Sequence, residues 1–250
     1  MPIPRIYQAV ALDLSAHIRL DEKASHHIAR VLRAKIGDRL ILFNGRGGEY
    51  ESVICQVDKK NVEVNIDRFI NREAESPLDL SLAQGVARGD KMDMIIQKST
   101  ELGVRTLIPL ITERCQIKKS YIQEQKYQHW QSVAISASEQ CGRNRLLIIN
   151  EPMSYGEWLQ EAKFGYCFVL SPHHAGHIPV NKIDINKKIT LLIGPEGGLS
   201  EKEIEEAIKH HFISLNLGPR ILRTETAGLA AISMFQTHIG DMKIFADSTK

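Results

Sequence analysis

The sequence lacks the features of several common functional classes. In 250 residues no apolar run approaches the roughly 20 residues that cross a bilayer, so we expect no membrane span. The four cysteines lie far apart without a C-x-x-C pair, which argues against structural zinc and for reduced thiols. The first residues show no basic segment followed by a continuous apolar one. We therefore expect no signal peptide and a cytoplasmic protein.

Nucleotide and metal signatures are also missing. The glycine-rich run Gly194–Gly198 is followed by no Gly-Lys-Ser/Thr and does not match G-x-G-x-x-G. Pro195 also removes a backbone donor there. An ordinary doubly wound nucleotide-dependent enzyme would need one of these signatures. His173, His174 and His177 lie in a segment broken by Pro and Gly that contains no carboxylate, so we expect no metal site.

Charge is distributed unevenly along the chain. The formal net charge is only +2. From Arg19 to Arg46, however, seven basic residues face three acidic ones. This stretch fits a solvated surface as well as an RNA-binding one, and it becomes an RNA hypothesis only beside other observations.

The pattern up to about residue 74 indicates a small β-rich domain. Its expected strands are Arg39–Asn44, Glu49–Val57 and Val62–Phe69. A helix is expected over Ser25–Lys35, with an apolar side made of Ile28, Val31 and Leu32 and basic residues opposite. The polar run Asn71–Pro77 is typical of a linker.

From Leu78 strands alternate with helices, which is typical of a parallel sheet covered by helices. Asp90 is expected to cap the first of these helices. The expected strands are Leu78–Gly85, Leu107–Ile111, Leu146–Asn150, Tyr166–Leu170 and Ile189–Ile193. The expected helices are Lys91–Leu102, a long one through Tyr127 to Cys141, one near Tyr155–Ala162, and Ala227–Ile239.

Two glycine turns follow two apolar runs near the C-terminus. The first run leads into Gly194–Gly198, and Ser200 then opens a helix with Glu203 as its capping-box partner. The second, Ile213–Leu217, leads into Gly218-Pro219-Arg220. Because glycine has no Cβ, both turns allow a ligand to approach the bare backbone. The sequence therefore predicts a small-molecule site at these two turns.

The two turns resemble the paired signatures of the SPOUT-class RNA methyltransferases, IGPEGG-x-S-x-x-E followed by LG-x-RILR-x-ETA. Within that class the chain is similar to the family that methylates N3 of a uridine in small-subunit (16S) ribosomal RNA. Further matching blocks are SHHIARVLRAKIGD, FNGRGGEYE, GD-K-MD-x-IIQKSTELGV, ERC and SEQCGRN, so the resemblance covers nearly the whole chain. It implies an α/β fold in which a PUA-like, RNA-binding β-barrel over residues 1–74 precedes a SPOUT-type parallel-sheet domain over 75–250. It also implies a C-terminal trefoil knot and a homodimer.

The resemblance implies that S-adenosyl-L-methionine is the cofactor. The residues expected to bind it are Leu170, Gly194, Gly198, Leu217, Gly218, Ile221, Leu222 and Thr224. Arg223 is the favoured catalytic residue, because a guanidinium stays charged and can stabilise a developing uracil anion. Glu196 or Glu225 could act as a general base. Equally, Arg223 could form a salt bridge to either, and each carboxylate could be structural.

The resemblance also implies RNA partners, either small-subunit ribosomal RNA or the assembled 30S particle. Candidate phosphate contacts are Arg30, Arg33, Arg39, Arg88, Arg114 and Arg143, although each alone also fits a surface charge. Two alternatives remain open at this point. One is a methyltransferase acting on tRNA ribose, and the other is a non-catalytic RNA-binding protein with a decayed cofactor domain.

Overall fold

A computed structural model describes residues 3–58, 61–116, 124–161, 165–171 and 182–242. The chain divides into two compact units. The N-terminal unit comprises Met1–Glu75 and Ile135–Leu146, and the C-terminal unit comprises Ser76–Ala134 and Leu147–Lys250. The three clustered histidines, His173, His174 and His177, lie outside the described residues. Within the described ranges, no helix combines the length and the apolar character needed to span a bilayer.

The N-terminal unit is built on a β-sheet, as its alternating pattern predicts. Its strands among the described residues are β1 (Arg5–Tyr7), β2 (His17–Arg19), β3 (Arg39–Phe43), β4 (Glu49–Val57) and β5 (Val62–Ile70). They are ordered β1-β3-β4-β5-β2, with β1 parallel to β3 and the other pairs antiparallel. The sequence missed β1 and β2, because three residues are too few to show a period of two.

The helix expected over Ser25–Lys35 is the main error in this unit. An α-helix, α1 (Glu22–His26), passes into a π-helical segment, His27–Leu32. Ile28 is fully buried as expected, but Val31 and Leu32 are 62% and 41% exposed. A π-helix closes its hydrogen bonds over five residues and so has more residues per turn, which rotates a side chain three positions after Ile28 off the face that the two would share in an α-helix. Val31 is turned outward in this way, and Leu32 lies at the end of the segment. The expected apolar side is therefore wrong at two of its three positions.

The C-terminal unit contains a parallel sheet, which confirms the α/β fold class. Its described strands are β6 (Leu80–Gly85), β7 (Thr106–Ile111), β8 (Ile148–Ile149), β9 (Met153–Ser154), β10 (Tyr166–Leu170), β11 (Ile189–Ile193) and β12 (Ile213–Leu215). The order is β12-β10-β11-β6-β7-β8, with β9 also beside β7, and all pairs are parallel. Because β10, β11 and β12 are neighbours and parallel, their carboxyl ends lie side by side at the same end of the sheet.

Helices cover this sheet on both faces. They are α2 (Asp90–Glu101), α3 (Glu124–Cys141, of which the residues from Ile135 on belong to the N-terminal unit), α4 (Tyr155–Gln160), α5 (Glu201–Lys209) and α6 (Thr224–His238). Alternate residues of β11 point into different cores. Leu191 belongs to the cluster that holds Phe235 of α6, whereas Leu192 packs in the cluster of Trp158 and Ile204. Burial on both faces explains why the strands read as continuous apolar runs rather than as alternating ones.

Two helix starts differ from the expectation. Asp90 is the first residue of α2 rather than its cap, because Gly89 occupies the N-cap position with φ of 52°. Helix α6 begins at Thr224, three residues before the predicted start at Ala227. The earlier start places Thr224 and Glu225 in the first turn of a helix rather than in a loop.

Candidate cofactor and active site

The two glycine turns form the walls of one cleft in the C-terminal unit. Because parallel strands end at a common edge, the residues after β10, β11 and β12 converge there. The cleft has a volume of about 370 Å³. It is lined by Arg114, Leu170, Ser171, Ile193–Leu199, Glu201, Ile204, Leu215–Gly218, Arg220–Leu222, Thr224 and Ala227.

All of the residues predicted to bind the cofactor lie in this lining: Leu170, Gly194, Gly198, Leu217, Gly218, Ile221, Leu222 and Thr224. Gly198 and Gly218 have φ of 70° and 102°, and a Cβ on either would meet no atom within 4 Å. These positions therefore need glycine for backbone conformation and not for packing. Their bare backbone faces open space in or beside the cleft.

Other glycines serve close packing. A Cβ on Gly194 would lie 2.6 Å from the carbonyl carbon of Gly198, across the first turn. A Cβ on Gly85 would lie 2.5 Å from the backbone nitrogen of Pro195. The end of β6 and the first turn are thus in backbone contact, which no side chain at Gly85 would permit.

Gln84 is a residue of this site that sequence reasoning missed. Its side chain is fully buried, and Nε2 lies 2.9 Å from the Gly85 carbonyl oxygen, 3.2 Å from that of Gly194 and 2.9 Å from Thr224 Oγ1. The Thr224 hydroxyl in turn donates to the Gly194 carbonyl at 2.5 Å. Gln84 and Thr224 together tie the end of β6, the first glycine turn and the start of α6. Only the pairing of β6 with β11 reveals this, since it sets Gln84 opposite Ile193.

The first turn has further supports on its outer side. Arg114 donates from Nη1 to the Gly197 carbonyl oxygen at 3.0 Å. After the turn, the predicted capping box is confirmed: the Ser200 amide donates to Glu203 Oε2 at 2.8 Å, and the Glu203 amide donates to Ser200 Oγ. Glu203 Oε1 also accepts from the Glu113 amide at 2.8 Å, which anchors the segment after β7.

Glu196 is held within the same set of contacts. Its Oε1 accepts from the Arg88 amide at 3.0 Å and lies 3.3 Å from Lys91 Nζ. Partial burial raises the pKa of Glu196, but the backbone hydrogen bonds and the Lys91 ammonium outweigh it and leave the pKa below its ordinary value. A carboxylate that is stabilised in its charged form is a weak proton acceptor. The geometry therefore favours the structural role over the general-base role.

Arg223 differs from Glu196 because its side chain has no hydrogen-bond or ion-pair partner among the residues that the structure describes. It is exposed and occupies the N-cap position of α6, after Ile221 and Leu222, which follow the second turn. Its guanidinium makes neither of the salt bridges that were the alternative, to Glu196 or to Glu225. A free guanidinium next to the cleft is available to a phosphate or to a developing negative charge.

Glu225 is placed differently from both. It is 9% exposed, and its Oε2 has no hydrogen-bond partner in the described parts of the chain. It is not among the residues that line the cleft. The structure therefore brings Glu196 to the cleft and Arg223 beside it but leaves Glu225 in the protein interior.

Five of the six arginines predicted to contact RNA are exposed: Arg30, Arg33, Arg39, Arg88 and Arg114. The first three lie in the N-terminal unit, and their side chains form no ion pair with any described residue. Arg88 and Arg114 belong to the C-terminal unit, where both contact the first glycine turn.

Arg143 does not fit the RNA prediction. It is 3% exposed and forms a two-point ion pair with Glu75, with Nε to Oε1 at 3.0 Å and Nη2 to Oε2 at 2.7 Å. The neighbouring Asn144 donates to the Arg72 carbonyl oxygen and accepts from Arg5. The SEQCGRN block is thus bound into the N-terminal unit by its own polar network. Arg143 is buried in that network and is not available to a phosphate.

No group of three or more His, Cys, Asp or Glu side chains that could hold a metal ion occurs in the part of the chain that the structure describes. The groups available in the described site are the backbone and aliphatic side chains that line the cleft, the Glu196 carboxylate in the first turn and the Arg223 guanidinium near the second.

Comparison with known proteins gives a consistent family. A profile described as an RNA methyltransferase domain matches residues 74–236, and one described as an RNA methyltransferase PUA domain matches residues 20–67. The ribosomal RNA small subunit methyltransferase E of Buchnera aphidicola subsp. Schizaphis graminum is 39% identical over 96% of this chain and 98% of its own length. The protein of that name from Bacillus subtilis is 33% identical over 86% and 88%.

Two solved structures are similar over nearly the full length. A methyltransferase of Legionella pneumophila in complex with bound SAM has a TM-score of 0.89 and 39% identity, covering 94% of this chain and 98% of that one. A ribosomal RNA small subunit methyltransferase E of Neisseria gonorrhoeae bound to S-adenosyl methionine has a TM-score of 0.89 and 34% identity, covering 96% and 100%. The PUA-like N-terminal region and the parallel-sheet methyltransferase region expected from the sequence are both matched. This chain belongs to the RNA methyltransferase family of the ribosomal RNA small subunit methyltransferases E.

Proposed function

We propose that this chain transfers a methyl group from S-adenosylmethionine to N3 of a uridine in small-subunit ribosomal RNA. The observation that carries the cofactor part is the cleft between the two glycine turns. Its volume of about 370 Å³ lies within the range of small-molecule sites. The aliphatic residues Leu170, Leu217 and Leu222 suit an adenine ring, and the backbone of both turns offers amides and carbonyls along its edge.

S-adenosylmethionine, when bound, supplies an activated methyl group on a sulfonium. The remaining tasks are to hold donor and acceptor in line and to exclude water, and these fall to the walls of the cleft. The first turn is fixed by Gln84, Thr224 and Arg114, so its carbonyls and amides are oriented before any ligand arrives. No covalent nucleophile and no metal are required for such a transfer.

The uracil N3 is a weak acid that is mostly protonated at neutral pH, so its anion needs stabilisation. We assign this role to Arg223, because its guanidinium has no partner among the described residues and because Arg223 stands between the cleft-lining residues Leu222 and Thr224. A cation next to a developing oxyanion lowers the barrier without taking up a proton. Glu196 carries a lowered pKa and is already bonded to Arg88 and Lys91, so we assign it to support of the first turn.

RNA binding is proposed for the exposed arginines. Arg88 and Arg114 lie at the first turn and would meet the phosphates that flank the target nucleotide. Arg30, Arg33 and Arg39 would bind phosphates through the N-terminal unit. A contact of this kind neutralises phosphate charge and releases counterions, so the affinity for RNA should fall steeply with salt.

Two further properties rest on the family resemblance. We infer that the segment containing both turns is knotted and that the protein acts as a homodimer through its C-terminal region, with α6 among the interface helices. Mixing two inactive variants, one unable to bind cofactor and one unable to bind RNA, tests for a shared site. Recovered activity in mixed dimers supports it, and a fully active monomer in sedimentation contradicts it.

The test of the function is nucleoside mass spectrometry of ribosomal RNA from a strain in which this gene is deleted. We expect loss of N3-methyluridine from the small subunit and its return on addition of the purified protein and S-adenosylmethionine. Loss of a 2′-O-methylated nucleoside from tRNA instead would identify the ribose methyltransferase alternative. An unchanged RNA together with no cofactor binding would identify a non-catalytic RNA-binding protein.

A further inference from the structure

Exposed apolar side chains lie within and just after the π-helical segment, in the most basic part of the chain. Val31, Leu32 and Ile36 are 62%, 41% and 67% exposed. Arg30, Arg33 and Lys35 alternate with them, and all three are exposed as well. We call residues 30–36 the ridge. Single exposed apolar residues are ordinary, but three within six positions form a surface that water solvates poorly.

The backbone of the ridge is held in an unusual conformation. The Arg33 amide donates to the Ile28 carbonyl, which is the five-residue hydrogen bond of a π-helix, and the Ala34 amide approaches the same oxygen at 3.1 Å. Arg33 itself is left-handed, with φ of 53°. A residue with a Cβ avoids this conformation unless its surroundings impose it, and π-helical turns are frequent at functional sites. The fully buried Ile28 side chain packs in the hydrophobic core of the N-terminal unit and holds the segment there.

Charge identifies the partner. Between positions 30 and 36 there are three basic side chains and no acidic one. Their guanidinium and ammonium groups make no ion pair with any residue in the described part of the chain. The nearest carboxylate in sequence, Asp38, accepts from the Lys35 backbone amide at 2.7 Å. Cations interleaved with aliphatic side chains match a polyanion that also presents apolar faces, which is unpaired RNA.

We propose that the ridge binds single-stranded RNA, with Val31, Leu32 and Ile36 against exposed nucleobase faces and the arginines on the adjoining phosphates. The proposal rests on the proposed function and extends it, because it adds contacts with nucleobases to a surface that was proposed above to contact phosphates alone. In duplex RNA the base faces are stacked inside, so the apolar side chains would have nothing to contact. The ridge should therefore prefer unpaired segments.

The two kinds of contact have different salt dependences, which makes them separable. Phosphate contacts release counterions, at about 0.7 in the slope of log affinity against log salt for each phosphate of a single strand. Apolar contacts release none. We expect Arg30→Ala with Arg33→Ala to lower the slope by about 1.4. Val31→Ser with Leu32→Ser and Ile36→Ser should lower affinity about tenfold at every salt concentration and leave the slope unchanged.

The experiment measures binding of the full-length protein to a labelled unstructured RNA oligonucleotide, and to the same strand annealed to its complement. The apolar triple variant should lose affinity for the single strand only. Leu14→Ser is the matched control, since Leu14 is an exposed aliphatic residue of the same unit outside the ridge. It should bind as wild type does. If the triple variant fails to fold, as judged by its thermal unfolding, Ile36→Ser alone provides the test.

Unchanged affinity of the apolar variants, or an equal loss on single strand and duplex, overturns the base-contact proposal while the proposed function stands. A change in sedimentation of the RNA-free protein on apolar substitution would also overturn it, since the ridge would then be an interface between copies of the chain. An unchanged slope and affinity in the arginine variant would instead remove the N-terminal phosphate contacts from the proposed function.

Discussion

The two glycine turns that line the cleft are similar in sequence but differ in how they are supported. In the first, Gly194–Gly198, the Gly194 carbonyl accepts hydrogen bonds from Gln84 and Thr224, and the Gly197 carbonyl accepts one from Arg114. The capping box of α5 follows it. The second begins at Gly218, whose amide donates to Asn216 Oδ1 at 2.7 Å. Ile221, the residue after the second turn, is 86% exposed although it lines the cleft. The first turn is therefore fixed before a ligand binds, whereas the second has exposed apolar surface beside it that a ligand would bury.

This difference separates the roles of the charged residues beside each turn. Glu196, in the first turn, already has Arg88 and Lys91 as partners and supports structure. Arg223 is separated from the second turn by two residues, and its side chain has no partner among the described residues. A side chain that already has partners in the free enzyme gains little by interacting with the transition state. An unpartnered side chain can form a new interaction that is made only in the transition state, and such an interaction accelerates the reaction. Catalysis is expected to depend on the second turn and stability on the first.

The largest expected effect is on the rate of methylation. Arg223→Ala should lower the single-turnover rate on purified small subunits by about 10²–10³, because one well-placed donor to a developing anion is lost. Cofactor affinity should change little. Raising the pH should partly restore the variant, since more of the uracil ionises without help. Equal rates in the variant and the wild type would move the catalytic role away from the second turn.

The next effect is on stability and tests the support of the first turn. Gln84→Met removes a buried donor at similar volume and should lower the free energy of unfolding by about 1–3 kcal/mol, because the Gly85 carbonyl loses its side-chain partner. Cofactor affinity should also weaken, since the Gly194 carbonyl loses one of its two donors. Denaturant titration measures the first and calorimetry the second.

A control for that prediction lies in the same strand. Ser81 is fully buried in β6, and its hydroxyl has no hydrogen-bond partner in the described residues. Ser81→Ala should therefore leave stability and cofactor affinity close to wild type. A cost as large as that of Gln84→Met would mean that strand packing, and not the hydrogen bonds to the turn, carries the effect.

The smallest effect is the pH dependence of stability that Glu196 contributes. Its pKa in the folded protein lies below the ordinary value of 4.5, so the folded state favours the charged form. The contribution is fully present above the unfolded pKa and is lost as the pH falls through the lower folded pKa. Glu196→Gln should be slightly less stable than wild type at neutral pH, and the gap should close below about pH 4.5. A gap that widens on acidification would mean that the pKa is raised instead.

The methylation rate of Glu196→Gln also tests the difference between the two turns. If Glu196 only supports the first turn, Glu196→Gln should methylate within a few-fold of wild type and show no rescue by high pH. A deficit as large as that expected for Arg223→Ala, with the same rescue, would make Glu196 the general base and Arg223 an RNA contact.

Local signals in the sequence predicted much of the fold. Strands β4, β10 and β11 have the predicted bounds, and the capping box at Ser200 and Glu203 is confirmed, because each depends on a few neighbouring residues. The family resemblance added the class of protein and the residues of the cleft.

Features that depend on distant parts of the chain could not be predicted. Gln84 matters only because β6 lies beside β11, and Arg143 is buried only because Glu75 meets it from a distant part of the chain. Val31 and Leu32 are exposed within and at the end of a π-helical turn, and no apolar period in the sequence predicts such a turn. The helix start at Thr224 was missed because Arg223, at the N-cap position, makes no capping hydrogen bond with its side chain, so no cap signal marks it in the sequence.

The central claim is that the two turns enclose S-adenosylmethionine, and calorimetric titration of the cofactor into three proteins tests it most directly. Gly218→Val places a side chain where the backbone meets open space, at φ of 102°. Gly37→Val is the matched control, with φ of 93° and equally open surroundings but in the N-terminal unit. We predict that wild type and Gly37→Val bind the cofactor and that Gly218→Val does not. Binding of wild-type strength by a folded Gly218→Val protein, or no binding by the wild type, would contradict the account.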